Sequence, residues 1–235
     1  MTRPATESAT EAATRSPLEL IEWLGVVPVV VLDDAAAAAP LAAALADGGL
    51  PLAEVTFRTA AAARALAVMA RDTRLLVGAG TVLTAEQVDR AVDAGARCVV
   101  SPGFSAAVVA RAAELGVLAL PGVATASEIM AALAAGVSTV KFFPAQTCGG
   151  VAAVRALAAP FPDLRFVPTG GISADSMSGY LAVPAVTAVG GSWMVAKNLV
   201  RENRFDEVTR LAAQAVALAA GARGLLAGGS GGSGR

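Results

Sequence analysis

Short runs of β-branched and apolar residues alternate along this chain with alanine-rich stretches of helical length, and most of those stretches end on glycine. The runs fall at 26–32, 52–56, 75–77, 98–101, 117–120, 139–143, 165–169 and 185–189, which predicts eight strands. Helix starts are written between them. Ser16-Pro17-Leu18-Glu19 offers an N-cap, a proline at the first helical position and a glutamate three residues after the cap, so a helix carrying Leu20, Ile21, Trp23 and Leu24 precedes the first strand. Asp33 or Asp34 opens a helix that Gly48 closes, and 60–70 carries the next. Thr84 with Gln87, and Thr125 with Glu128, cap two more, and further helices are predicted at about 105–115 and 205–220.

Strands that read apolar on both sides belong to a parallel sheet covered by helices. Eight such strand–helix units close into a (β/α)8 TIM barrel, an α/β fold, here with an extra N-terminal helix. An open doubly wound sheet is the rival, but it calls for a phosphate-binding glycine turn after its first strand, and Val31-Leu32-Asp33-Asp34 has none. Residues 1–15 hold no apolar core segment and read as a disordered tail rather than a signal peptide. The single barrel domain is expected over 16–220, and 221–235 as a flexible Gly/Ser-rich tail.

The apolar fraction of 55% is high, yet much of it is alanine and no run approaches the roughly 18 uninterrupted apolar residues of a membrane span. Net charge is -1 and no arginine cluster with interleaved aromatics occurs, so neither nucleic acid nor a membrane surface is an expected partner. Two cysteines are too few for a disulfide framework; Cys98 lies in an apolar run, as a buried thiol would, and Cys148 follows the sixth strand. Histidine is absent, which excludes a Ser-His-Asp triad, a Cys-His pair and His-ligated metal. Chemistry rests on Lys, Glu, Asp, Arg, hydroxyls and backbone.

One lysine stands out against that background. Of 18 basic residues all but Lys141 and Lys197 are arginine, and Lys141 sits inside the apolar run Ser138-Thr139-Val140-Lys141-Phe142-Phe143-Pro144. Arginine lacks an amine that can deprotonate and attack a carbonyl, so Lys141 is a Schiff-base candidate; a strand-end lysine whose stem snorkels to solvent is the alternative. With a period of two, Glu54, Thr56 and Arg58 share one face of the second strand, and Thr139, Lys141 and Phe143 one face of the sixth. Glu54 and Lys141 therefore converge at the carboxyl ends of the strands, where barrel active sites lie. A structural Glu54–Arg58 ion pair is the plain alternative. Strands seven and eight end Thr169-Gly170-Gly171 and Gly190-Gly191-Ser192, paired glycines with an adjacent hydroxyl at the two strand ends where barrels often hold phosphate. Pro102-Gly103 and Pro121-Gly122 read as loop-shaping pairs.

Taken in order, Glu54-Val55-Thr56-Phe57-Arg58-Thr59, Gly78-Ala79-Gly80-Thr81-Val82, Ser101-Pro102-Gly103, Pro121-Gly122-Val123, Lys141-Phe142-Phe143-Pro144-Ala145, Pro168-Thr169-Gly170-Gly171-Ile172 and Gly190-Gly191-Ser192-Trp193 resemble the family of 2-keto-3-deoxy-6-phosphogluconate (KDPG) and 4-hydroxy-2-oxoglutarate aldolases. The resemblance runs from about 18 to 220. It implies a class I, metal-independent and cofactor-free aldolase of the cytoplasm, a homotrimer, splitting a phosphorylated 2-keto acid into pyruvate and glyceraldehyde 3-phosphate. Lys141 resembles the Schiff-base lysine and Glu54 the general acid/base; Arg58 and Thr81 resemble the holders of the substrate carboxylate, and Phe143 and Pro102 the pocket lining. Thr169, Gly170, Gly171 and Ser192 are similar to the phosphate-end contacts. Gln146 departs from the pattern, since relatives often have glutamate there. A non-catalytic phosphosugar-binding barrel and a trimeric assembly scaffold are the competing readings.

Overall fold

The computed structural model describes residues 15–229. Helix α1 (Pro17–Leu24) starts as its sequence predicts, with the Ser16 hydroxyl accepting from the Glu19 N–H and the Glu19 carboxylate taking the Ser16 N–H at 2.8 Å. Next come β1 (Val26–Val30), a 3-10 turn capped by Asp34, and α2 (Ala38–Asp47). The pattern continues with β2 (Leu52–Thr56), α3 (Ala62–Met69), β3 (Leu76–Gly80), α4 (Ala85–Asp93), β4 (Cys98–Val100) and α5 (Ala106–Glu114). It goes on through β5 (Leu118–Leu120), β6 (Gly122–Val123), α6 (Ala126–Ala134), β7 (Thr139–Phe142), α7 (Gly150–Ala158) and β8 (Arg165–Pro168). Last are α8 (Ala174–Leu181), β9 (Val189–Gly191), a 3-10 turn at Trp193–Val195, α9 (Lys197–Arg201) and α10 (Phe205–Gly229). Thr84, Ser105 and Thr125 cap α4, α5 and α6 with their hydroxyls, each satisfying a backbone N–H that the helix leaves without a partner.

All ladders are parallel. Six strands run in the order β5-β4-β3-β2-β1-β9 and three in the order β6-β7-β8, with single bridges Phe166↔Val186 and Thr169↔Gly190 between β8 and the segment leading through β9. The fold is thus α/β, its parallel strands covered by helices whose inward faces are wholly buried. Leu41 and Leu45 of α2 and Leu66 and Met69 of α3 are fully enclosed against the sheet, each contributing about 1.5–3 kcal/mol of apolar burial.

Several boundaries depart from the sequence pattern: the first strand stops at Val30, and the third, expected at 75–77, runs on to Gly80. The run expected as one strand at 117–120 extends to Val123 but breaks in two, because Pro121 has no N–H to give the ladder. The eighth expected strand, 185–189, contributes only a bridge at Val186, and regular pairing starts at Val189. Helix α10 runs past the expected end at Ala220 to Gly229. Of the expected N-terminal tail only Arg15 is described, its guanidinium 5.1 Å from the Trp23 ring centroid; the rest, and residues 230–235 of the expected C-terminal tail, lie outside the described residues. Among the described residues no helix is long and apolar enough to cross a membrane.

The extended turn of α10 has a reason in one side chain. Arg223 donates to the backbone carbonyls of Glu22 and Trp23, which end α1, and to that of Thr187 just before β9. One guanidinium thereby ties the last helix, the first helix and the amino end of the sheet, satisfying helix-end carbonyls that α1 cannot pair itself. Ala222 beside it is buried. Replacing Arg223 by Met keeps the stem and removes these donors. We expect Arg223→Met to lower the unfolding free energy by about 1–3 kcal/mol, measured by denaturant titration, while turnover stays unchanged; equal stability would show that the clasp carries no weight.

Candidate active site

Strands β2 and β7 belong to different sheets, yet their inward side chains meet. Lys141 Nζ donates to Glu54 Oε1 at 2.9 Å, and the two residues are 6% and 4% exposed. The period of two predicts which face of its strand each residue occupies, and the hydrogen bond joins residues 87 apart in sequence across the two sheets. Neither a snorkelling lysine nor a Glu54–Arg58 ion pair is what forms. Thr56, on the same face as Glu54, is buried and gives its hydroxyl to the Val30 carbonyl at 3.0 Å, so it stitches β2 to β1.

Room for the carboxylate comes from β3. A Cβ at Gly80 would stand 2.3 Å from Glu54 Oε1 and 2.7 Å from its Cγ, so any side chain there would displace the acid. Two residues earlier on the same face, Gly78 leaves the space that the Cys98 sulfur fills. The sequence signal of this role is two glycines two apart in a buried strand, on one face. Beneath the pair, Ile21, Val27, Cys98, Val100, Leu120 and Val167 leave a cavity of about 10 Å³, room for one water at most. Burial, and then the nearby Glu54 charge, push the Cys98 thiol up to about 12, so it stays protonated and serves as apolar filling.

Two groups of residues flank this centre. On one side Arg58, exposed just beyond β2, donates its Nε–H to Thr81 Oγ1 at 3.2 Å, and Thr81 holds a left-handed φ of 58°. On the other, Lys141 Nζ lies 5.4 Å from the Phe143 ring centroid, and the edge of that ring closes to 3.3 Å on the place a Cβ would occupy at Gly170. Gly122, paired in register with Lys141, lets the Pro102 carbonyl come where a side chain would otherwise stand. Gly170 and Gly171 both have positive φ, 104° and 77°, a succession that only glycine adopts without strain.

The expected site residues are thus gathered unevenly. Lys141, Glu54 and Thr169 line one cavity; Phe143 joins Lys141 to Gly170; Arg58 and Thr81 hold each other. Thr169 is buried with its hydroxyl turned to the Val167 carbonyl at 3.3 Å, in space vacated by Gly190. Ser192 is exposed and stands two residues after Gly190, the bridge partner of Thr169. Among the described residues no three His, Cys, Asp or Glu side chains stand close enough to hold a metal ion. A buried amine on a buried carboxylate, with a cation and a hydroxyl paired at one rim and open backbone at the other, can form an imine and move a proton beside it.

Known proteins resemble this chain along most of their length. Residues 19–211 match the aldolase family described as KDPG and KHG aldolase. A Treponema pallidum protein named 2-dehydro-3-deoxy-phosphogluconate aldolase is 48% identical over 197 residues, covering 83% of this chain and 94% of the relative. The crystal structure of the 2-keto-3-deoxy-6-phosphogluconate aldolase of Zymomonas mobilis ZM4 with 3-phosphoglycerate superposes with a TM-score of 0.80 at 40% identity, covering 86% of this chain and 96% of its own. The KDPG aldolase of Legionella pneumophila, with pyruvate captured as a covalent carbinolamine intermediate, also gives a TM-score of 0.80, at 37% identity over 83% of this chain and 95% of its own. The chain belongs to the KDPG and KHG aldolase family, a family of aldehyde-lyases.

Proposed function

We propose that this protein is a class I aldolase that reversibly cleaves 2-keto-3-deoxy-6-phosphogluconate to pyruvate and glyceraldehyde 3-phosphate, and 4-hydroxy-2-oxoglutarate to pyruvate and glyoxylate. The observation that carries it is the 2.9 Å contact between two buried groups, Lys141 and Glu54, in a chain of known aldolase kinship. The Lys141 amine adds to the C2 carbonyl, and loss of water from the carbinolamine leaves an iminium. Glu54 takes the proton of the C4 hydroxyl as the C3–C4 bond breaks; the bonding pair flows into the iminium and leaves an enamine, while the aldehyde departs. Protonation at C3 and hydrolysis of the imine release pyruvate and restore the amine. The iminium is the electron sink, so this route calls for no metal and no cofactor.

Arg58 and Thr81 hold the C1 carboxylate, the guanidinium by charge-assisted hydrogen bonds. Phe143 and Pro102 wall the pocket. The distal phosphate goes to Thr169, Gly170, Gly171 and Ser192, where glycine backbone lets N–H groups approach an anion closely. We further read β6 as the continuation of β5, so that the two sheets form one closed (β/α)8 barrel with α1 as an added helix at its amino end. The bridges from β8 toward β9 and the contact across the interior support this closure. A cytoplasmic homotrimer completes the reading; Leu83, Met130 and Leu133, respectively 53%, 62% and 40% exposed, are large apolar side chains that a neighbouring copy would cover.

Three outcomes are expected. Incubation with pyruvate and borohydride adds one reduced pyruvyl group to the peptide holding Lys141; an adduct on the exposed Lys197, or none, would sink the class I assignment. Glu54→Gln keeps the shape and an acceptor for Lys141 but cannot take a proton, so steady-state assays should show kcat down by roughly 10²–10⁴ in a variant that still melts cooperatively and still traps pyruvate at Lys141. Near-normal kcat would remove Glu54 from the mechanism. Light scattering should return the mass of three chains of 23.2 kDa; a monomer mass would refute the trimer.

A further inference from the structure

Gln146 lies in the turn after β7, outside every role assigned above. Its backbone N–H donates to the Gly170 carbonyl at 3.0 Å, and the Ala145 N–H to the Thr169 carbonyl at 2.8 Å, so this turn runs on as a ladder with the distal loop. The contact extends to the side chain. A Cβ at Gly171 would stand 2.6 Å from Gln146 Cβ, which means that the glutamine stem occupies the side of the loop where a residue-171 side chain would go. The Tyr180 hydroxyl of α8 then donates to Gln146 Oε1 at 3.2 Å. Tyr180 is 1% exposed, so its ring cannot swing, and burial pushes its phenol up, which keeps the donor protonated.

An amide whose oxygen is taken by a fixed hydroxyl turns its two N–H groups the other way. Gln146 is exposed, and among the described residues its Nε2 has no hydrogen-bond partner. Neutral donors are therefore carried by a residue whose stem packs against the Gly170–Gly171 loop. A glutamate of the same shape would accept the same Tyr180 hydrogen bond while setting a negative charge and lone pairs against an incoming anion. We propose that Gln146 is a specificity-determining residue, its amide, oriented by Tyr180, giving N–H donors to the phosphate-bearing end of the substrate. The proposal rests on the reading of the Gly170–Gly171 loop as the phosphate end.

The test compares KM and kcat on 2-keto-3-deoxy-6-phosphogluconate and on the shorter, phosphate-free 4-hydroxy-2-oxoglutarate. Gln146→Glu should raise KM for the phosphorylated substrate about three- to fivefold at low salt, as a partly exposed charge contact allows. The rise should shrink in about 1 M salt, where such charges are screened. Gln146→Ala and Tyr180→Phe should give smaller rises on the same substrate that salt does not reverse. Throughout, kcat and the KM for 4-hydroxy-2-oxoglutarate should hold steady. Gly171→Ala supplies the control, because a Cβ there breaks the loop itself. If Gly171→Ala penalises the phosphorylated substrate selectively while Gln146→Glu does not, the loop reading stands and the role of Gln146 is refuted. If neither variant discriminates between the substrates, the phosphate end has been misplaced and the proposal falls with it.

Discussion

The interior of this fold keeps one amine and one carboxylate in contact, both buried. Removing either charge from solvent costs several kcal/mol even after relaxation, and in mutational comparisons a well-packed apolar pair often does as well or better for stability. The Lys141–Glu54 pair is therefore a poor device for holding a fold together and a good one for chemistry. Its surroundings agree. Gly80 gives up a side chain so that the acid can lie across β3, Cys98 and its apolar neighbours close the floor, and Ile21 reaches in from α1 to complete the seal. Groups already at hydrogen-bond distance need little reorganisation to exchange a proton.

That centre was legible in the sequence because strand parity is rigid. A period of two leaves no freedom about which face Glu54 and Lys141 occupy, and a lysine inside an apolar run, in a chain with only one other lysine, marks where an amine is needed. Element types were legible for the same reason: helix caps such as Ser16–Glu19 and Thr125–Glu128 are local hydrogen bonds and form as written. What escaped is what depends on partners distant in sequence. Nothing near Gly80 says that a carboxylate from β2 will need its space. Nothing near Ala220 says that an arginine three residues on will find carbonyls at Glu22 and Thr187. Pro121 was visible, but its effect depends on the neighbouring ladder, which continues beyond it into β6.

The two ends of the site are built from different materials. At the Arg58 end the groups are side chains, a guanidinium bonded to a hydroxyl, a pairing suited to a carboxylate. At the other end the groups are backbone and glycine, with side chains in support: Phe143 under Gly170, and Gln146 against Gly171. Side-chain recognition is rigid in charge, whereas glycine backbone is open in shape. Under the proposed function, one scaffold then holds the shared pyruvyl half and accepts leaving aldehydes of different length.

Thr81 shows what this precision demands of the chain. A β-branched residue at a φ of 58° sits where L-residues crowd their own carbonyls, a conformation costing of order 1–3 kcal/mol. Glycine would take the same backbone path freely, and β3 already uses glycine at 78 and 80, so threonine is not there for want of an alternative. What glycine would lose is the hydroxyl that accepts the Arg58 Nε–H at 3.2 Å. An exposed guanidinium on a long stem has many rotamers, and ordering it at the moment of binding would subtract from affinity. The strained threonine orders it beforehand. The strain is tolerable because Gly80 and Val82 on either side are wholly buried and hold the turn from both directions. Stability surrendered at one residue is thus converted into a preset direction for the charge proposed to meet the substrate carboxylate.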